Sequence, residues 1–291
     1  MALGSCSGSC VCGTVRYEVS GPFNTMMNCH CSMCRKHHGS AFATYVSAPI
    51  GGFRWLAGED AILGYASSEK GQRYSCKVCG SVVPMMMPAY GLALCPAGPL
   101  EGDLGIAPQA HIFASSKAPW HAITDSLPQH AEYPPEFAAP GLPRPVVESR
   151  EGVTQGSCLC GDVAFEATGE PLFMLNCHCQ RCRRARGAAF ATNVFFKLEN
   201  FRWTRGESLL ADYRLPEARF FGTSFCSQCG GEMPRVSRER GIVVIPAGAL
   251  DTAPPITPQR HIFVDYKAGW HQITDSLPQH AEGPPAQPRP S

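Results

Sequence analysis

The chain has 291 residues, enough for about two domains of ordinary size. Its formal net charge is +1 and only 17% of its residues are charged, which excludes a nucleic-acid binder with a strongly basic face. No apolar run approaches the roughly 18 residues of a membrane span, and the start MALGSCSGSCVCG lacks the basic-then-apolar pattern of a signal peptide. We therefore expect a soluble, cytoplasmic protein without nucleic-acid or membrane partners.

Short β-strands are the predicted elements along the whole chain. The 29 glycines and 26 prolines favour turns over long helices, and no stretch has the periodicity of a long amphipathic helix. Alternating or β-rich runs predict strands at 14–19, 42–46, 92–100, 162–167, 190–196 and 242–250. The sequence thus predicts a mainly β protein.

The chain contains the same sequence twice. NCHCSMCRKHHGSAFATYV at 28–46 returns as NCHCQRCRRARGAAFATNV at 176–194, and ITDSLPQHAE occurs unchanged at 123–132 and 273–282. The separation is 148 residues early and 150 late, so the second copy has two extra residues before its last cysteine pair. An internal repeat of this length predicts two tandem domains.

The predicted boundaries follow from composition. FAAPGLPRPVVESR is rich in proline and lies between the copies, as a linker does. We predict a first domain at 1–136, a linker at 137–150, and a second domain at 151–291 that ends in a short Pro-rich tail.

Seven cysteines match between the two copies, out of sixteen in the chain. Because seven is odd, one copy cannot pair all of them internally as disulfides, and the start without a signal peptide favours metal binding. Cys6 and Cys95 have no counterpart and are predicted to be small buried or surface thiols.

The spacing divides the seven into four and three. A structural zinc takes four ligands, whereas a catalytic zinc takes three protein ligands and keeps one open position. In each copy a C-x-C pair and a distant C-x-x-C pair can supply four sulfurs, and the compact C-H-C-x-x-C supplies three. This predicts two Zn(II) ions per copy and four per chain. The predicted structural ligands are Cys10, Cys12, Cys76, Cys79, Cys158, Cys160, Cys226 and Cys229; the predicted catalytic ligands are Cys29, Cys31, Cys34, Cys177, Cys179 and Cys182.

Three alternatives stay open at this point. His30, between Cys29 and Cys31, could be a fourth ligand, although a hydrogen bond to a thiolate suits its position better. Soft thiolates also suit iron–sulfur clusters, but a four-plus-three division is less natural for them. The third alternative is full disulfide bonding.

Three thiolates lower the Lewis acidity of zinc, which argues against vigorous metal-hydroxide hydrolysis. Such an ion is better suited to bind an incoming thiolate, or to polarise a small carbonyl beside one. His30 and His178 are the nearest candidates for proton transfer, and Arg35 and Arg183, which follow the last cysteine, are candidates for substrate binding or plain surface charge.

Other polar residues suggest packing rather than chemistry. His111 and His261 precede Ile-Phe and are predicted to be strand residues with structural roles. His121 and His271 each follow a tryptophan, which favours packing. The repeated TDSLPQH runs could line a site or simply form a turn at Asp125.

Each copy resembles the glutathione-dependent formaldehyde-activating enzymes, which share a domain with centromere protein V. The motifs that carry the resemblance are CxCG, NCHCxxCR, GxAF and CxxCG, and together they span nearly the whole chain apart from linker and tail. The resemblance implies a zinc-stabilised β fold with one structural and one catalytic zinc. It also implies a carbon–sulfur lyase whose named reaction joins formaldehyde to glutathione as S-hydroxymethylglutathione.

The sequence therefore favours a tandem zinc-dependent lyase for adducts of a small thiol, such as glutathione, and a small aldehyde. The chain departs from the family's usual single-domain form, and the copies differ directly after the core, HHGS against ARGA. A non-catalytic tandem zinc module for protein interactions is the alternative, and a metal-handling or redox protein is a third hypothesis. The oligomeric state is not predicted.

Overall fold

The computed structural model describes residues 4–69, 71–134 and 148–283. The described chain is mainly β, as predicted, with two short helices, α1 (Ser32–His38) and α2 (Gln180–Arg186). Neither helix combines the length and apolar character needed to cross a membrane. The strands of the first repeat are β1 (Ser5–Ser9), β2 (Arg16–Ser20), β3 (Thr25–Cys29), β4 (Ala43–Pro49), β5 (Phe53–Ala57), β6 (Ile62–Ala66), β7 (Gln72–Cys76), β8 (Met85–Met87), β9 (Leu92–Pro96), β10 (Leu100–Glu101) and β11 (Ala110–Ile112). The strands of the second repeat are β12 (Val153–Ser157), β13 (Ala164–Thr168), β14 (Phe173–Cys177), β15 (Ala191–Lys197), β16 (Phe201–Arg205), β17 (Leu210–Arg214), β18 (Gly222–Cys226), β19 (Arg235–Ser237), β20 (Ile242–Pro246), β21 (His261–Ile262) and β22 (Gln279–His280).

Each repeat contains two sheets and one hairpin. In the first repeat the sheets have the orders β10-β1-β2-β5 and β11-β3-β4-β9-β8, and β6 pairs with β7. The second repeat follows the same plan with β12-β13-β16, β19-β20-β15-β14-β21-β22 and the hairpin β17-β18. Most neighbours are antiparallel, but β11 runs parallel to β3, and β21 runs parallel to both β14 and β22.

The predicted strands are present with shifted ends. The runs 14–19 and 162–167 form β2 and β13, which end one residue later than predicted. The run 92–100 forms β9 only as far as Pro96, and the copy at 242–250 likewise ends β20 at Pro246 and continues as a single 3-10 turn. Proline ends both strands because it lacks the N–H that the ladder needs.

One large apolar cluster spans both repeats. Ala41, Phe42 and Trp120 of the first repeat belong to the same buried cluster as Phe165 and Phe190 of the second. The rings of Phe42 and Phe190 meet edge to face, with centroids 5.4 Å apart, which is a favourable aromatic geometry. The repeats are therefore packed together as two halves of one body.

Each helix packs on a glycine turn of the other repeat. A Cβ on Gly98 would lie about 2.5 Å from the carbonyl oxygens of Arg183 and Ala188, and one on Gly248 would meet Arg35 and Ser40 in the same way. Only glycine permits this close approach of two backbones. The turn after β9 and its copy after β20 thus fix the helices in place.

Each hairpin also contacts the other repeat. Tyr213 and Phe221, from the second repeat, pack on the apolar cluster that contains Cys10 and Cys76 of the first. Tyr65 from the first repeat packs on the cluster that contains Cys158 of the second. Each repeat therefore helps to cover the cysteines of the other.

Parts of the predicted boundaries lie outside the described residues. Most of the linker predicted at 137–150 falls there, as does nearly all of the Pro-rich tail. The domain borders at 136 and 151 therefore stay predictions.

Candidate metal centres

Four sulfurs converge in each repeat from the two predicted pairs. Cys10 and Cys12 lie on the turn between β1 and β2, and Cys76 and Cys79 lie at the end of β7 and in the turn that follows. The Sγ atoms of Cys10 and Cys12 are 3.3 Å apart, and those of Cys12 and Cys76 are 3.8 Å apart. We call this group the first four-cysteine cluster. The second consists of Cys158, Cys160, Cys226 and Cys229, with 3.3 Å and 3.8 Å at the equivalent positions.

Three sulfurs converge at the start of each helix. β3 ends at Cys29, and Cys31 caps α1, its Sγ accepting a hydrogen bond from the Cys34 backbone N–H at 3.4 Å. The second repeat repeats this arrangement, which includes the 3.4 Å bond from the Cys182 N–H to the Cys179 Sγ. The first three-cysteine cluster is Cys29, Cys31 and Cys34; the second is Cys177, Cys179 and Cys182.

All four clusters fit a tetrahedral metal ion. Within each cluster the sulfurs lie within 4.8 Å of one another. A zinc–sulfur bond of about 2.3 Å requires sulfurs about 3.8 Å apart, close to the separations seen here. Among the described residues, no fourth cysteine, histidine or carboxylate joins either three-cysteine cluster. The chain thus has four clusters compatible with zinc, two per half.

The three-cysteine clusters need a cation to hold all their sulfurs as thiolates. Hydrogen bonds to Cys31 and Cys34, together with burial, raise the pKa of the Cys29 thiol well above its usual value. Hydrogen bonds to Cys177 and Cys179, together with burial, likewise raise the pKa of the Cys182 thiol. The thiols of one cluster therefore compete for a single negative charge until a positive charge enters the site.

Arg73 brings a positive charge to the first three-cysteine cluster. Its terminal nitrogen donates to the Cys34 Sγ at 3.7 Å. Burial alone would lower the pKa of Arg73, but the nearby Cys34 and Tyr45 raise it overall, so the guanidinium stays charged. Tyr45 lies beside the same sulfurs, and its hydroxyl is 2.7 Å from Nε2 of His38. No motif in the sequence points to Arg73, which lies 39 residues from Cys34 and is replaced by Thr223 in the second repeat.

The second three-cysteine cluster has different neighbours. Thr223 stands where Arg73 does, and its hydroxyl donates instead to the Cys79 carbonyl of the first repeat at 2.8 Å. Asn193 replaces Tyr45. Cys179 and Cys182 are half-buried, whereas Cys31 and Cys34 are only 3% and 4% exposed. The second cluster is therefore the more open of the two.

His30 begins a buried hydrogen-bonded chain. Its Nε2 is 2.8 Å from Nδ1 of His111, whose Nε2 is 3.0 Å from both oxygens of Asp125. Because the Asp125 carboxylate accepts from Nε2, a neutral His111 presents its Nδ1 lone pair to His30. Nδ1 of His30 is buried with no hydrogen-bond partner among the described residues. Burial and the neighbouring His121 lower the pKa of His30 to about 2.

The second repeat has the same chain of side chains. His178 Nε2 is 2.8 Å from His261 Nδ1, and His261 Nε2 is 3.0 Å from one Asp275 oxygen. His271 stacks on His178 with ring centroids 5.6 Å apart. Burial first, then His271, lower the pKa of His178 to about 2.

The TDSLPQH runs both form a turn and support this chain. Oδ1 of Asp125 accepts from the Leu127 N–H at 3.0 Å, as a turn residue does, while the same carboxylate holds His111. The hydroxyls of Thr124 and Thr274 lie 2.5 Å apart, so the two loops also meet each other. The strand positions predicted for His111 and His261 are confirmed in β11 and β21.

The arginines singled out in the sequence contact the backbone. Nε of Arg35 donates to the His30 carbonyl at 3.2 Å, and Arg183 donates to the carbonyls of Tyr266 and Gly98, both at 3.1 Å. Their role in substrate binding stays a prediction. The next residue, Lys36, pairs with Asp251 of the other repeat at 2.6 Å and so stabilises the contact between the repeats.

Cys6 and Cys95 are buried together in the apolar core of the first repeat, away from the metal clusters. Burial raises the pKa of both thiols. They behave as the small hydrophobic residues expected of unmatched cysteines.

Both repeats are similar in sequence to known proteins. The profile of the family "Glutathione-dependent formaldehyde-activating enzyme" matches residues 5–116 and 153–266, well over half of the chain. A Halomonas elongata protein named "Putative glutathione-dependent formaldehyde-activating enzyme" is 29% identical over 142 residues, which cover 45% of this chain and 90% of that protein. A crystal structure of a Rhodobacter sphaeroides protein is 27% identical, covers 36% of this chain and 97% of its own, and superposes with a TM-score of 0.29. The chain therefore belongs to the glutathione-dependent formaldehyde-activating enzyme family, with two copies of the family's domain in tandem.

Proposed function

We propose that the protein is a zinc-dependent carbon–sulfur lyase that joins a small thiol to a small aldehyde, or separates them. The two four-cysteine clusters would hold structural zinc and the two three-cysteine clusters catalytic zinc, four ions per chain. The observation that carries this proposal is the repeated group of three converging sulfurs without a fourth protein ligand among the described residues. The family name, with its glutathione and formaldehyde, supports the same substrates. The proposed setting is the cytoplasm, where thiols stay reduced.

When bound, the zinc would supply a Lewis acid with one position free for the substrate. The protein's own contribution begins with Cys29, Cys31 and Cys34, which would hold the ion at the start of α1. The hydrogen bond from the Cys34 N–H to the Cys31 Sγ holds two of these sulfurs on one turn. Arg73 stabilises the negative charge that three sulfurs accumulate.

The reaction forms one bond and moves one proton. The substrate sulfur bonds to the aldehyde carbon while the carbonyl π bond opens, and the thiol proton ends on the new hydroxyl oxygen. In the reverse direction that hydroxyl loses its proton and the carbon–sulfur bond breaks. A residue beside the sulfurs that can accept and return a proton therefore lowers the barrier.

His30 and His178 are the proposed proton carriers. Each stands between two cysteines of its cluster, and each keeps Nδ1 without a partner in the described chain. The chains through His111 to Asp125, and through His261 to Asp275, fix which nitrogen of each ring carries the hydrogen. Arg35 and Arg183 are the proposed contacts for a substrate carboxylate.

The test compares the two kinds of cluster. The double variant Cys31→Ser, Cys179→Ser is expected to stay folded and lose thiol binding, measured by calorimetry with glutathione. The variant Cys12→Ser is expected to lose the structure of its repeat, seen by circular dichroism. If both kinds of variant simply unfold, the catalytic assignment fails.

A non-catalytic zinc module remains the second candidate, and one observation favours it for the first repeat. The Arg73 guanidinium covers the Cys34 sulfur there, which restricts access for a thiol. A protein whose three-cysteine clusters are both structural would bind no thiol in the same calorimetric experiment.

A further inference from the structure

A cavity of about 570 Å³ lies in the second repeat, on the side of β19 and of the hairpin β17-β18. Its lining contains six arginines but only three acidic residues. Arg202 is paired outside the cavity with Glu166 at 2.6 Å. Within the described chain, the other five form no ion pair: Arg214, Arg219, Arg235, Arg238 and Arg240. We call this cavity the arginine cleft.

Three of these five arginines contact the exposed Phe220. The guanidinium carbons of Arg219 and Arg240 stand 4.8 and 5.2 Å from the centre of the Phe220 ring, within cation–π distance. Arg235 donates to the Phe220 carbonyl at 2.9 Å. Phe220 is 54% exposed, so its ring is open to solvent. The ring thus holds like charges close together at the mouth of the cleft.

The crowding leaves positive charge uncompensated at Arg235. Burial, followed by the charges of Arg240 and Arg214, lowers the pKa of Arg235. Like charges this close repel each other unless an anion enters between them. Carboxylate and phosphate oxygens are the groups that guanidinium forks bind best.

The cleft adjoins the second three-cysteine cluster. Arg235 pairs with Val244 of β20, and Val244 pairs with Phe195 of β15. Phe195 and Cys182 pack on the same apolar cluster, which contains Cys177. Thr223 lines the cleft at the position where, in the first repeat, Arg73 extends to Cys34. Because threonine is short and its hydroxyl bonds to the Cys79 carbonyl, it does not cover the half-buried Cys182 as Arg73 covers Cys34.

Four of the cleft's arginines have uncharged counterparts in the first repeat. Met85, Pro88 and Tyr90 stand where Arg235, Arg238 and Arg240 stand in the second repeat, and Ala66 replaces Arg214. The pair of aligned segments reads MMMPAY against RVSRER. The difference therefore concerns one local surface and not the metal clusters, whose cysteines are all kept.

We propose that the arginine cleft binds the carboxylate or phosphate groups of an anionic thiol whose sulfur reaches the second three-cysteine cluster. The first repeat, where four of these arginines are replaced, then binds anionic thiols more weakly, with Arg35 as its proposed contact for a carboxylate. The binding of the substrate sulfur at this cluster rests on the function proposed above, whereas the anion site itself does not.

The test uses the zinc-loaded full chain and four probes in calorimetry: glutathione, coenzyme A, 2-mercaptoethanol and inorganic tripolyphosphate. The variant Arg235→Met, Arg240→Tyr introduces the residues of the first repeat. It is expected to weaken binding of the anionic thiols by about tenfold to a hundredfold, the effect of losing charge-assisted hydrogen bonds, and to leave 2-mercaptoethanol unaffected. Arg54→Met, an exposed arginine of the first repeat, is the control for loss of one charge. The affinities for glutathione, which carries carboxylates, and coenzyme A, which carries phosphates, distinguish recognition of the two groups.

The outcomes separate this inference from the proposed function. If the double variant binds both anionic thiols as well as the wild type, while Cys179→Ser in the wild-type background weakens that binding, the cleft is overturned and the function stands. If the wild type binds no thiol at all, the proposed function fails. Binding of tripolyphosphate then tests whether the arginine cleft is an anion site. Its binding must then be lost in the double variant; unchanged binding, or none to the wild type, overturns the cleft as well.

Discussion

The first and second three-cysteine clusters have the same sulfurs in different surroundings. Both form at the end of a strand and the start of a seven-residue helix, and both use the middle cysteine as a helix cap. Around the first, Arg73 and Tyr45 cover the sulfurs; around the second, Thr223 and Asn193 leave two cysteines half-buried. Local turns thus fix where the sulfurs lie, whereas side chains from distant strands decide what can approach them.

The largest expected effect separates the four-cysteine from the three-cysteine clusters. The four-cysteine clusters join distant hairpins, so losing their metal removes binding energy on the order of 10 kcal/mol from folding. Cys76→Ser is expected to unfold the first repeat, and Cys34→Ser to leave it folded. Circular dichroism during titration with a zinc chelator measures both. An equal loss of structure in the two variants would show that the two kinds of cluster do not differ in their contribution to folding.

A buried ion pair of the second repeat gives the next largest effect. Arg186 and Glu232 pair at 2.5 Å, with Glu232 fully buried, and the first repeat has His38 and Val82 at these positions. Glu232→Val alone leaves a buried cation and is expected to cost about 3–5 kcal/mol of unfolding free energy. The double variant Arg186→His, Glu232→Val recreates the pair of the first repeat and is expected to recover most of that loss. Chemical denaturation of both variants measures the difference, and equal losses would contradict the argument.

Arg73→Thr is expected to make the first three-cysteine cluster resemble the second. In a Cys179→Ser background, which isolates the first repeat, removal of the guanidinium from Cys34 is expected to improve 2-mercaptoethanol binding by about tenfold, the equivalent of 1.4 kcal/mol. Calorimetry measures this affinity, with Arg54→Met as the matched control. Weaker binding in Arg73→Thr would mean that the charge of Arg73 helps the thiol and does not block it.

A smaller effect is the pH dependence of stability that His38 gives to the first repeat. Burial, followed by the charge of Arg73, lowers the pKa of His38 to about 3. The unfolded chain takes up a proton near pH 6.5, so His38 contributes full stability above that pH and loses it progressively as pH falls towards about 3. His38→Gln can still bond to Tyr45 and cannot titrate. Its melting temperature is expected to fall less between pH 6.5 and 5 than that of the wild type, and an identical fall would contradict the assignment.

The smallest effect is at the contact between the TDSLPQH loops. Thr124→Val removes an exposed hydroxyl pair with Thr274 and is expected to cost about 0.5–1.5 kcal/mol, with no change in zinc content. Denaturation together with metal analysis measures both. A loss of zinc would show that these loops support the clusters more directly than their contacts indicate.

The cysteine spacing carried most of the site information in the sequence. C-x-C, C-x-x-C and C-H-C-x-x-C each form one short turn, so the sulfurs within each motif lie close together whatever the rest of the fold. The duplication of all three motifs indicated the division into four and three cysteines. The mainly β fold followed from composition and alternation in the same way.

What could not be predicted depends on contacts between distant segments. Lys36 lies two residues after the last cysteine of its cluster, yet it binds Asp251 of the other repeat because the helices face glycine turns across the contact. Arg73 has no motif around it. The role of His30 depends on His111, which is 81 residues away and meets it only because β11 lies parallel to β3.

X-ray absorption at the zinc edge, with zinc content measured on the same sample, tests the central claim most directly. Two four-sulfur and two three-sulfur sites predict four zinc ions per chain and an average midway between three and four sulfurs per ion. Addition of 2-mercaptoethanol is expected to raise that average towards four. Only two ions per chain, or four sulfurs per ion before any thiol is added, would contradict the account.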